Sequence, residues 1–202
     1  DLGHDESTDA LVADADVVIH CPHPTGDGDD AWIDAYTRQT YNLLTASLKA
    51  QVKQVILVSS LDLFTPYDED MAVSETWRPL PGPEPRTLAP HLGEFVAREF
   101  AHDGALNVLC LRLGHLVSAA EATGQTYDPM WLEQSDAAEA LSALLDHLQK
   151  SWDAPDHHRS SPWNVLHLQG AGPHARFGSE RFGRLLDFKA GFDFEKNPEA
   201  KA

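Results

Sequence analysis

The chain has 202 residues, 42% of them hydrophobic and 23% charged, with 32 acidic against 15 basic side chains and a formal net charge of -17. These are globular values for one domain with a sizeable core and a small appendage, and the acidic balance argues against nucleic acid, which is held by Lys and Arg on phosphates. No apolar run approaches the roughly 20 residues of a membrane helix and no basic-then-apolar leader opens the chain, so a soluble, cytoplasmic protein is expected.

The opening Asp1-Leu2-Gly3 carries no glycine-rich turn. Residues 7–15 read as a short helix capped by Ser7 or Thr8, with Leu11 and Val12 facing inward. It leads into an apolar, β-branched run at 16–21, a buried strand. The connection 22–30 is dense in turn formers. Ile33, Tyr36, Tyr41, Leu44 and Leu48 then keep helical spacing through 31–50. Gln54–Ser60, Gln-Val-Ile-Leu-Val-Ser-Ser, is the strand around which the rest is organised: continuous apolar residues mark a parallel strand, and its two serines stand at the carboxyl edge, where open α/β sheets bind ligands.

Beyond it, an acidic, proline-rich excursion to Pro90 is expected to be irregular over most of its length, and a long loop beside a sheet edge is more often functional than decorative. A helix at 91–102 feeds a strand at 107–113. Ser135 and Asp136 cap a helix over 137–149, with Ala138, Leu141, Leu144, Leu145 and Leu148 as its apolar stripe. A polar loop at 151–161, a strand at 163–168 and a helix at 179–186 complete the chain. The strands 16–21, 54–60 and 107–113, each reached through a helix, are expected side by side and parallel. This predicts an α/β fold: a Rossmann-like doubly wound parallel sheet over 1–120 and a small C-terminal α+β lobe over 121–202.

Cys21 and Cys110 fall in predicted buried strands and read as reduced core residues; two cysteines make no disulfide framework. His20, His23, Asp27, Asp29 and Asp30 gather near one strand end but lack a fixed spacing to aim them together, so a solvated loop is preferred to a metal site. His157 and His158 read as exposed. Ser59 with His20 or His91 has the composition of a nucleophile and base, but serines that satisfy backbone groups at a strand end are the preferred reading. The five Trp residues lie mostly at junctions between loops and elements, as core edging or as a partner surface.

Several stretches carry a likeness. Asp1-Leu2, Asp16-Val17-Val18-Ile19-His20-Cys21, Thr40-Tyr41-Asn42-Leu43-Leu44, Val55 to Ser60, Gly93-Glu94, Leu111-Arg112-Leu113-Gly114 and Ser135 to Ala140 occur in the order found in extended short-chain dehydrogenase/reductases. With the late Arg176 to Arg181 and Leu185 to Phe188, the chain resembles that family, of the NAD-dependent epimerase/dehydratase type. The resemblance implies NAD or NADP as cofactor. It places Asp1 and Leu2 at the adenine, Cys21, Pro22 and His23 beneath the pyrophosphate and ribose, Ser59 near the nicotinamide ribose, and Gly114, His115 and Leu116 beside the ring.

Two departures qualify it. The family's Gly-rich strand-helix-strand unit would precede Asp1; its loss would leave buried sheet edges unpaired, so roughly 55 to 60 residues, two βα repeats, are expected to be missing or supplied from elsewhere. The family's proton relay uses a Tyr, a Lys four residues on, and a Ser or Thr past the central strand. The corresponding positions here hold Arg86, Pro90 and Leu61, so no catalytic residue is expected there, and no metal. The family's sugar-nucleotide substrates need basic residues, and 126–136 has none. The expected function is therefore a catalytically degenerate epimerase/dehydratase-like protein that binds a nucleotide cofactor or a protein partner, a second copy included. The alternative is an active NAD(P)-dependent epimerase, dehydratase or reductase acting on a sugar nucleotide or small carbonyl compound.

Overall fold

The computed structural model describes residues 1–102, 104–152, 161–172 and 174–196; the expected polar loop at 151–161, with His157 and His158, lies outside these except at its ends. The elements in order are α1 (Glu6–Val12), β1 (Val17–His20), α2 (Asp29–Asp34), a π turn (Ala35–Gln39), α3 (Thr40–Lys49), β2 (Gln54–Ser60), a 3-10 turn (Leu61–Phe64), α4 (Pro85–His102), β3 (Val108–Leu113), β4 (His115–Val117), α5 (Ala119–Ala122), β5 (Trp131–Glu133), α6 (Gln134–Trp152), β6 (Trp163–Leu168) and α7 (Glu180–Leu186). The expected parallel α/β sheet is present, in the order β1-β2-β3-β6. β1 and β2 run parallel with Val17 opposite Gln54 and His20 opposite Leu57. These four strands are contiguous.

Two compact units divide the chain. The first comprises Asp1–Pro66, Arg78–Leu111 and Ser161–Val165; the second comprises Tyr67–Trp77, Arg112–Ser160 and Leu166–Ala202. In the first, Val12, Leu43, Leu44, Val55, Leu57, Ala97, Ala101 and Val108 form a buried cluster. Ala97 and Ala101 are small residues on α4, which lets that helix approach the sheet closely. In the second, β4 pairs in parallel with β5, His115 opposite Trp131, and the Asp136 carboxylate accepts from the amides of Gly191 and Phe192 at 3.0 and 2.9 Å.

Several sequence expectations need correction. The N-cap of α1 is Asp5, not Ser7 or Thr8, because its carboxylate accepts from both of their amides. Cys21 is exposed, since β1 ends at His20; Cys110 is buried as expected. The helix expected at 91–102 begins at Pro85 and carries Pro90 inside it. Pro85 suits the first helical position, where the missing N–H would be unpaired anyway, and Pro90 forfeits a single bond, to the Arg86 carbonyl. The irregular stretch is correspondingly shorter. In α6 the buried face is Ala137, Ala140, Leu144 and Leu148, while Ala138 is exposed. The short strands β4 and β5 were not anticipated; at three residues each they hold too little alternation to register.

Candidate functional site

The carboxyl edge of the sheet in the first unit has a buried polar floor. His20 ends β1, and its Nε2 lies 2.9 Å from Thr40 Oγ1. The Thr40 hydroxyl gives its hydrogen to the Ala35 carbonyl across the π turn, at 3.2 Å, which leaves His20 Nε2 as the donor. Burial pushes the His20 imidazole down to about 4, so it stands neutral at pH 7. Beside it on β2, Ser59 is buried and donates to Glu94 Oε1 of α4 at 2.7 Å. Ser60 caps the 3-10 turn, its hydroxyl accepting from the Asp62 amide at 3.0 Å. Ser60 thus serves the strand end as expected; Ser59 spends its hydroxyl on a side chain instead, and neither histidine is its partner.

An aromatic rim lies above that floor. Trp32 and Tyr36, four residues apart, stack at 6.2 Å with an interplanar angle of 9°. The His23 ring meets Trp32 edge-on at 6.4 Å, and the Arg86 guanidinium lies over the indole at 5.0 Å. The close approach of α4 depends on Gly93: a Cβ there would sit 3.0 Å from the Tyr36 carbonyl oxygen. Arg86, Pro90 and Gly93 therefore form one stripe of α4 facing the Trp32–Tyr36 helix. Burial, helped by Cys21 and Asp62, pushes the Tyr36 phenol up to about 12. This aromatic ladder escaped the sequence reading, although the spacing of Trp32 and Tyr36 is its signal.

The residues singled out from sequence distribute as follows. Leu61 is fully buried in the 3-10 turn, Pro90 is buried and Arg86 exposed. Asp1 pairs with Arg38 at 2.8 Å, the Leu2 amide donates to Gln39 Oε1 at 3.1 Å, and the Leu2 carbonyl accepts from Asn42 Nδ2 at 2.8 Å. Cys21 and His23 are exposed and Pro22 half-buried. Gly26 and Gly28 lie in the same connection between β1 and α2, but Asp27, Asp29 and Asp30 around them repel phosphate. Gly114, His115 and Leu116 belong to the second unit: a Cβ at Gly114 would collide with the Met130 carbonyl, and His115 Nδ1 lies 3.0 Å from Asp128 Oδ2. Among the described residues no group of His, Cys, Asp and Glu is arranged to hold a metal ion, and no helix is long and apolar enough to cross a membrane.

The second unit contains a cleft of about 780 Å³ with Leu168, Phe177, Phe182 and Phe188 among its apolar walls, and Lys189, Asp193 and Lys196 among its charged ones. In its buried interior Arg112 stands 3.3 Å from His167 Nε2. Burial and that guanidinium push His167 down to about 3.

A parallel α/β sheet with a ligand-type carboxyl edge defines the Rossmann-like class. The sequence profile of the NAD dependent epimerase/dehydratase family matches residues 1–130, and the chain belongs to that family. No curated protein sequence matches it. Among solved structures it is similar to a glucuronic acid dehydrogenase from Chromohalobacter salexigens, at 16% identity and TM-score 0.73, over 94% of this chain and 66% of that one. A uronate dehydrogenase variant from Agrobacterium tumefaciens complexed with NAD gives the same identity, TM-score and shares. A UDP-N-acetylglucosamine 4-epimerase from Bacillus cereus matches at 17% identity and TM-score 0.70, over 93% of this chain and 77% of that one. The chain thus spans less than two thirds of the length of the two dehydrogenases.

Proposed function

We propose that this chain is a catalytically degenerate member of its family that binds NAD or NADP without running the family's proton relay. The observation that carries the reading is the α4 stripe. Arg86 and Pro90, one helical turn apart, face the aromatic rim where the resemblance expects Tyr and Lys, and Leu61 is buried at the third position. A guanidinium stays protonated, and proline and leucine have no proton to exchange. Ser59 cannot stand in, because its hydroxyl is committed to Glu94. Tyr36 holds its proton at neutral pH, with a pKa of about 12.

The residues fit a dinucleotide better at one end than at the other. Leu2 is held by Gln39 and Asn42, and the Asp1 carboxylate stays at the surface as an acceptor for an adenine amine. Cys21, Pro22 and His23 are the positions the resemblance sets beneath the pyrophosphate and ribose. When bound, the nicotinamide carries hydride. At the reactive end the chain's own groups do not fit that chemistry, so no step of hydride or proton transfer is assigned to them.

The second unit acts as a substrate-type lobe, a role its cleft supports by its size. Exposed Tyr41, Leu48 and Phe95 on α3 and α4 support a further role in binding a protein partner or a second copy. The setting is the cytoplasm, whose reducing state suits the free thiols of Cys21 and Cys110. The competing reading is an active NAD(P)-dependent epimerase, dehydratase or reductase, with family membership as its support.

The test assays the full chain for NAD(P)H oxidation and epimerisation on sugar nucleotides, uronates and small carbonyl compounds, alongside cofactor binding by saturation-transfer NMR. Removing one positioned acid or base costs about 10²–10⁴ in rate. Cofactor binding with turnover near background is expected. Cofactor-dependent turnover on the order of 1 s⁻¹ or more, the low end of ordinary enzymes, overturns the reading in favour of an active enzyme.

A further inference from the structure

The guanidinium of Arg86 is placed differently from most of the others. Arg38 is paired with Asp1 and Asp34, Arg176 donates to the carbonyls of Tyr67 and Asp68, and Arg184 donates to the Glu180 carbonyl. Among the described residues Arg86 touches a ring alone, the Trp32 indole. Arg98 also lies on a ring, but Phe95 is its neighbour three positions earlier on the same helix, a local pair. The Arg86 contact crosses between helices: Trp32 stacks in parallel with Tyr36 and meets the His23 ring edge-on, so two other side chains hold the ring over which the guanidinium lies. A guanidinium held over an indole spends none of its N–H donors on that contact, and their fork matches a carboxylate.

We infer that the Arg86–Trp32–Tyr36 stack is a receptor for the carboxylate of a small polar ligand, with Arg86 as the recognising residue. The inference rests on the reading above that ligands bind at this sheet edge. It deepens that reading, because the position that lost its proton-transfer group has gained an anion-binding one. Charge selects the class of anion. Asp27, Asp29 and Asp30 stand in the connection and first turn leading to Trp32, and the whole chain carries -17, so one guanidinium balances a single negative charge but not a phosphate dianion. Preorganisation by the stack lowers the ordering cost that an exposed arginine ordinarily meets on binding.

Three ligands on one sugar ring test this: D-glucuronate, D-glucose and glucose 6-phosphate, titrated into the full chain by calorimetry and tryptophan fluorescence. Glucuronate is expected to bind in preference to both others. Its affinity should fall at least about tenfold in Arg86→Ala and in Trp32→Leu, and fall less in Arg86→Lys, which keeps the charge without the planar fork. Circular dichroism of each variant verifies folding. Equal affinity for glucuronate and glucose, or glucuronate binding untouched by Arg86→Ala, overturns the inference; tighter binding of glucose 6-phosphate overturns the carboxylate assignment. Saturation-transfer NMR with NAD⁺ on the same samples separates the two levels. Loss of NAD⁺ binding with glucuronate binding intact refutes the cofactor reading and leaves the receptor standing.

Discussion

The floor and the rim of the first unit's sheet edge are both made of polar and aromatic side chains, yet they obey different constraints. On the floor, His20–Thr40 and Ser59–Glu94 are buried pairs in which each group satisfies the other. Removing one member strands its partner away from water, so these pairs are held in place by the cost of changing them. On the rim, Arg86 and His23 are exposed, and substitution there strands nothing. The floor is thus closed by its own pairs, while the rim keeps a guanidinium and an imidazole at the surface. Glu94 and Arg86 lie on one helix only two turns apart, and they sit on opposite sides of this divide.

The largest effect that can break the comparison is acidification. His20 is held neutral in the fold with a pKa of about 4, against 6.5 for the free side chain. The unfolded chain therefore binds a proton between those values that the folded chain does not, and stability falls as pH drops from 6.5 to 4. At about 1.4 kcal/mol per unit the loss amounts to roughly 3 kcal/mol. Urea denaturation at pH 7.5 and 4.5 should show a difference between the two pH values that shrinks by about 2 kcal/mol in His20→Gln. His167 is depressed in the same direction and titrates alike in both proteins, so the comparison isolates His20. An unchanged pH dependence in the variant would remove His20 from the floor.

Next comes the Ser59–Glu94 pair. Glu94→Ala leaves the Ser59 hydroxyl buried without its acceptor and should cost about 1–3 kcal/mol in thermal or chemical unfolding. The double variant with Ser59→Ala should cost less than the sum of the two single changes, since both partners are then gone. Additive costs would mean the pair does not interact.

The smallest effect belongs to the rim. Arg86→Ala should change stability by no more than about 0.5 kcal/mol while weakening carboxylate binding. A loss of stability as large as that of Glu94→Ala would make Arg86 a structural residue and erase the distinction.

Pattern alone determined the elements whose residues are selected by a local period. Gln54–Ser60 emerged with its bounds, as a continuous apolar run ended by two serines; β1 and β3 followed from similar runs and β6 from an alternating one. The order of motifs was enough to indicate the family. Chain order also singled out Arg86 and Pro90, counted back from Gly93-Glu94, and Leu61, counted on from Ser59-Ser60, because spacing is a one-dimensional fact. What the tertiary structure decided lies where contacts between distant residues outweigh local preference. Pro90 reads as a helix breaker, yet α4 continues through it, since packing of Gly93, Ala97 and Ala101 far outweighs one lost hydrogen bond. Cys21 reads as a core residue, but β1 closes one position earlier and leaves it exposed. The partners of Ser59 and Arg86, 35 positions away in Glu94 for the one and on another helix in Trp32 for the other, follow from how α4 lies on its neighbours. No periodicity within a single segment encodes such a juxtaposition, because it is fixed by the packing of segments that the chain brings together only on folding.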